Sequence, residues 1–154
     1  MNIYTSYWAQ VRNFPRNLVG INTTIWPPKW RPLGQDKRGV WVIDCPLLKP
    51  GKECEGLCSG PPCSHSPATC NFLLTYERQL SKINFEDFIK HLNDLKDKIC
   101  KGEDLDDVDF AFIFFEKPDN PCSERRAFTD WFWRESTNLI DGGIAISEWN
   151  KQKA

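Results

Sequence analysis

The sequence has no run of 18 apolar residues, so no segment is long enough to span a bilayer as a helix, and no membrane partner is expected. It opens MNIYTSYWAQVR, without a basic stretch followed by a long apolar one, so no secretory leader is expected and the protein reads as cytoplasmic. It lacks net charge. Lys+Arg 20 against Asp+Glu 21 leave −1, which excludes a polycation that grips nucleic acid over its whole surface. Histidine is scarce, with only His65 and His91, so a Cys–His or Ser–His catalytic pair has little to draw on. G-x-G-x-x-G, Walker, H-E-x-x-H and G-x-S-x-G patterns are all missing. An even cysteine count is missing too: seven thiols cannot all pair within one chain.

What is present is one domain's worth of chain, 154 residues, with its charge divided. Residues 1–53 carry eight basic and three acidic side chains, a balance of +5; the rest carry twelve and eighteen, −6. The basic part also holds Trp8, Trp26, Trp30 and Trp41. Basic and aromatic residues interleaved suit phosphates and stacked bases. The competing reading puts these tryptophans in the core and the Lys and Arg in solvent.

Patterning predicts strands at Asn2–Tyr7 and Leu18–Ile21, then a proline-rich stretch that blocks regular structure, then a short strand or packed coil at Val40–Ile43. The stretch from Cys45 to Cys70 is rich in Gly, Pro and Ser and is not expected to bury a conventional core. Phe72, Leu73, Tyr76 and Leu80 recur at helical spacing. A second helix is expected from the cap Asn84, its stripe Phe85, Phe88, Ile89, Leu92, Leu95 and Ile99 ending at Gly102. Val108–Phe115 is nearly continuous apolar, as in a central strand covered on both faces. A helix from Ser123 to about Ser136 and a strand Gly143–Ser147 complete an α/β domain with a mainly parallel sheet. In Trp131-Phe132-Trp133, helical neighbours point to different faces, so at least one is expected to be exposed. Asp104, Asp106, Asp107 and Asp109 read as a solvated acidic linker.

Cys54, Cys58, Cys63 and Cys70 are spaced C-x3-C-x4-C-x6-C, among glycines and prolines that supply turns. Four thiolates in seventeen residues can wrap one zinc ion at roughly 2.3 Å each. An iron–sulfur cluster, disulfides or free thiols answer the same spacing; structural zinc is the expectation. His65 is left spare. With four protein ligands the metal has no open position and orders a loop too poor in apolar residues to order itself.

Ligands of open α/β sheets bind beyond the carboxyl ends of the strands. Beyond the phenylalanine strand lie Glu116, Cys122, Ser123, Arg125 and Arg126. A helix opening at Ser123 offers free backbone N–H groups, and with Arg125 or Arg126 could hold a phosphate or carboxylate. Cys122 at that helix start is a candidate for a lowered thiol pKa. The plainer alternative makes Ser123 a cap and the arginines surface residues.

E-K-P-D-N-P-C-S-E-R after a buried strand resembles the loop of the domain of unknown function 488 family, whose members show a strand and then Glu-x-x-x-x-x-Cys-His-Arg opening a helix. N-I-Y-T-S-Y-W is similar to that family's first strand. The likeness spans about two thirds of the chain in pieces and is carried chiefly by Glu116, Cys122 and Arg125. Ser123-Glu124 stands where the family has His, and the Cys54–Cys70 segment reads as a subgroup's zinc-binding insertion. The resemblance implies a small Rossmann-like three-layer fold and an intracellular protein; it implies no activity.

Two functions compete. In the first, a nucleotide or nucleic acid lies between Tyr4–Tyr7, Asn22–Thr24 and Glu116–Arg126, under the Trp26–Trp30 loop. Thr5, Ser6 and Thr23 would donate hydrogen bonds and Tyr7, Trp26, Ser123 and Arg126 would line the site. Arg125 would hold an anion and Glu116 act as acid or base. In the second, the zinc-stapled loop and exposed tryptophans dock a protein partner without catalysis. Thiol chemistry at Cys122 is a third reading.

Overall fold

The computed structural model describes residues 1–57, 69–115, 118 and 124–151. Strand β1 (Ile3–Tyr7) runs directly into a one-turn helix α1 (Trp8–Val11), and β2 (Leu18–Asn22) follows. Next come β3 (Gly34–Gln35), β4 (Trp41–Asp44), α2 (Asn71–Ser81), α3 (Phe85–Glu103), β5 (Asp109–Phe114), α4 (Glu124–Leu139) and β6 (Ile146–Glu148). Among the described residues these strands form one sheet in the order β3-β4-β2-β5-β1-β6. All neighbours are parallel except β3, which pairs antiparallel with β4. The domain is therefore α/β with a six-stranded, mostly parallel sheet, an order compatible with Rossmann-like winding. Among the described residues no helix is long and apolar enough to cross a membrane.

Strand β5 sits centrally because both its faces are apolar. Its side chains alternate, so Phe110, Phe112 and Phe114 join one core with α2, α3 and α4. Ala111 and Ile113 join the other, with Trp8, Val11, Phe14, Val40 and Val42. Handedness divides the connections the same way. The crossovers through α2 and α3, and through α4, shift toward β6 and cover the first face. Those from β1 to β2 and from β2 to β4 shift toward β3, and a right-handed crossover in that direction must use the second face. Three long helices thus cover one face, while α1, Phe14 and Trp149 cover the other. Gly20 of β2 makes the second core fit: a Cβ there would lie 2.7 Å from Ile113 Cδ1 and 3.1 Å from Val42 Cγ2.

The expected strands and helices are all present, with shifted ends. The Asn84 side chain accepts from the Asp87 N–H at 3.0 Å, as a cap should. Gly102 does not end α3: the helix continues to Glu103 and closes on Asp104, whose φ of 54° is left-handed and whose N–H reaches the Cys100 carbonyl. A short polar side chain tolerates that conformation. The last strand starts at Ile146 rather than Gly143, because Gly142 and Gly143 adopt φ of 82° and 68° in a turn. The Cys45–Cys70 stretch does contribute to the core: Leu48 and Cys54 are buried in it, and the Tyr76 hydroxyl donates to the Leu48 carbonyl at 2.6 Å. In the aromatic triplet Trp131 and Phe132 are buried and Trp133 is exposed. The acidic linker is partly engaged, Asp107 pairing with Lys96 at 3.2 Å and Asp109 accepting from the Asn2 N–H at 2.8 Å.

Candidate functional site at the carboxyl edge of the sheet

The parallel strands end in a row at Asp44, Asn22, Phe114, Tyr7 and Glu148, from β4 to β6. Neighbouring strands lie about 4.8 Å apart, so β2 and β6 end roughly 14 Å from each other.

At the β1–β6 end the centre is Arg125. It is buried, not a surface residue, because it lies one residue into α4, where the helix crosses the strand ends. Its Nε is 2.9 Å from Glu148 Oε1, and its Nη2 donates to the Ser6 carbonyl at 2.9 Å. Its guanidinium lies over the rings of Phe114 and Tyr7, 5.5 and 5.9 Å from their centroids. Thr5 Oγ1 donates to the same Glu148 oxygen at 2.9 Å. Burial pushes the Glu148 carboxyl above its ordinary pKa, while Arg125 and Thr5 pull it back. Glu148 Oε2 is buried and accepts no hydrogen bond among the described residues.

The expected donors are engaged within the protein. Ser6 Oγ donates to the Trp149 carbonyl at 3.0 Å and Thr23 Oγ1 to the Ile113 carbonyl at 2.7 Å. Together with Thr5 they tie the edge to its neighbours, because a buried hydroxyl needs an acceptor within the protein. The Tyr7 hydroxyl accepts from Gln10 at 3.1 Å. Arg126 is exposed, about 100° around α4 from the buried Arg125. Glu116, Cys122 and Ser123 lie outside the described residues, as do Cys58, Cys63 and His65.

At the β2–β4 end, the Asn22 side chain donates to Asp44 Oδ1 at 2.9 Å and to the Thr24 carbonyl at 3.0 Å. It also accepts from the Thr24 N–H and hydroxyl, and Lys49 pairs with Asp44 at 2.8 Å. This network aims the chain as it leaves β2. Trp26 and Trp30 follow, 77% and 54% exposed, while Trp8 and Trp41 are not. The core reading of the tryptophans thus holds for Trp8, whose indole donates to Thr24, and fails for Trp26 and Trp30. Arg31 anchors their loop: buried, it donates to the carbonyls of Val40 at 2.9 Å, Gly34 at 3.3 Å and Pro32. Its guanidinium pKa is lowered by burial, which Asp36 partly offsets. Arg16, Arg38 and Lys49 also have internal acidic partners. Arg12 lies over the Trp30 ring at 5.3 Å, and neither it nor Lys29 has an ion-pair partner among the described residues.

Of the four expected zinc ligands, Cys54 and Cys70 are described. Both are buried thiols, Cys54 in a 3-10 turn packed on α2 and Cys70 capping α2. Burial pushes the Cys54 thiol pKa up, with Glu124 and Glu53 adding to the rise. Among the described residues no group of three or more His, Cys, Asp or Glu is placed to hold a metal ion.

Glu148, Arg12, Asp44 and Lys49 escape the sequence reading. A signal existed for Glu148: it directly follows the expected final strand, and ligand contacts of parallel sheets sit just beyond strand ends. Comparison with protein-family models, curated proteins and solved structures finds no match to this chain.

Proposed function

We propose that the carboxyl edge of the sheet binds a nucleotide or a single-stranded nucleic acid. The observation that carries this reading is the exposure of Trp26 and Trp30 on an anchored loop leaving β2, beside Arg12 and Lys29. Two large apolar rings in water are a cost that a monomer removes by burying them; held out by a buried arginine, they offer stacking faces. Trp30 already carries the Arg12 guanidinium, so Trp26 is the open face for a base and Arg12 and Lys29 take the phosphates. Base–aromatic stacking is worth about 1–3 kcal/mol per base, so Trp26→Ala should weaken binding of a labelled short oligonucleotide about tenfold or more at unchanged melting temperature. Anisotropy titrations at two salt concentrations check this. Absence of wild-type binding at low salt, or equal binding by the Trp26→Ala/Trp30→Ala double variant, overturns it.

Exposed Ile25 and Leu33 beside these tryptophans favour a second reading, a protein-docking module. Phosphate binding weakens steeply with salt, whereas an apolar protein contact does not.

We also infer a structural zinc ion on Cys54, Cys58, Cys63 and Cys70, in keeping with an inserted loop on a domain similar to the family of unknown function. Two buried soft donors at the ends of the segment suit thiolate coordination. Protein purified without chelator should carry one zinc per chain, and Cys70→Ser should lose it. Metal-free protein with all seven thiols titratable overturns the inference.

A further inference from the structure

The row of strand ends carries opposite chemistry at its two ends. Near β2 Arg12 and Lys29, without an ion-pair partner among the described residues, lie beside the exposed tryptophans. Near β6 the cation Arg125 is already neutralised by Glu148 at 2.9 Å. A phosphate placed there would have to displace a carboxylate held by both Arg125 and Thr5. Beside Arg125, the expected place of a ligand anion is held by a carboxylate of the protein itself.

What this end has in excess is an acceptor. Glu148 Oε1 accepts from Thr5 and is ion-paired with Arg125, while Oε2 is buried and has no donor among the described residues. A buried carboxylate oxygen without a donor is costly, and native proteins keep few of them. The Glu148 side chain keeps 20% of its surface open, so a ligand donor that reaches this oxygen would supply the partner it lacks. A carboxylate in that position selects a neutral O–H or N–H donor and repels a phosphate.

We propose that Glu148 is the specificity-determining acceptor for the nucleoside part of the ligand, taking a sugar hydroxyl or a base amine, while the phosphates lie toward Arg12 and Lys29. This rests on the nucleic-acid reading above and adds the ligand's orientation to it. About 14 Å between the β2 and β6 ends leaves room for such a division.

Two comparisons on the wild-type protein separate the two donors: an oligoribonucleotide against its 2′-deoxy counterpart, and a cytosine tract against a thymine tract, which lacks the amine. The wild type should prefer the hydroxyl-bearing or the amine-bearing member about fivefold or more. Glu148→Gln should erase that preference while keeping the Trp26-dependent binding; the variant's thermal melt confirms that it folds. Should Glu148→Gln unfold, the wild-type comparison alone decides. Equal wild-type affinities in both comparisons, or a preference that survives Glu148→Gln, overturns the role of Glu148 and leaves the stacking platform standing. Failure of the wild type to bind any of the four probes overturns the nucleic-acid reading itself.

Discussion

Arg125→Ala lowers the stability of this protein by about 3 kcal/mol at neutral pH, the low end for breaking a buried ion pair because Glu148 is partly open. The variant leaves the Glu148 carboxylate inside without its cation, frees the Ser6 carbonyl and opens space beside Phe114 and Tyr7. The pH dependence separates these causes. Burial already raises the Glu148 pKa above 4.5, and without Arg125 nothing but Thr5 restrains it. A carboxyl whose folded pKa is raised contributes its stability in full below the unfolded value and loses it as pH rises through the folded one. The deficit of Arg125→Ala should therefore be largest at pH 7 and shrink as pH falls into the ordinary carboxylate range. Urea unfolding of both proteins at several pH values measures it. A deficit independent of pH would mean that lost packing, not the stranded charge, is the cause. Arg125→Lys should recover only part of the loss, since an ammonium cannot face Glu148, the Ser6 carbonyl and two rings with one planar group.

Phe128→Ala should cost about 3–5 kcal/mol, enough to unfold much of the population of a domain this size. Phe128 has no exposed surface, and its ring lies 4.6 Å from Phe112, 5.7 Å from Phe114, 5.8 Å from Phe132 and 5.9 Å from Trp131. It is the side chain through which α4 meets the central strand. Rigid rings on both sides cannot collapse into the space left, so the cavity remains. Trp133→Ala, five residues along the same helix and half exposed, should cost about 1 kcal/mol or less. Chemical denaturation of the two variants gives the contrast directly. Similar losses would mean that α4 packs differently from the arrangement described here.

Much of the frame is legible in the sequence because it follows from local periodicity. The helical stripe from Phe85 to Ile99 places α3, and the eight-residue apolar run marks β5 as a strand covered on both faces. Helix ends are less legible, since Asp104 rather than Gly102 closes α3. The one-turn α1 and the two-residue β3 leave no periodic signal at all, being shorter than the repeats that would reveal them. The site divides in the same way. Arg125 is flagged by its place after a buried strand, but its partner Glu148 lies 23 residues away, on a strand that joins the sheet through β1.

By itself the sequence determined the α/β class, the central phenylalanine strand, the carboxyl edge as the place to look and the clustering of four cysteines. Each is a matter of residues near one another along the chain. Only the tertiary structure decided which charges are cancelled and which remain. Arg31 and Arg125 are buried and internally bonded, Arg12 and Lys29 have no ion-pair partner among the described residues, and of the four N-terminal tryptophans Trp26 and Trp30 face solvent. The reason is physical: a charge or a ring has the same identity wherever it stands, but its free energy depends on the partners and the water that the folded chain brings to it.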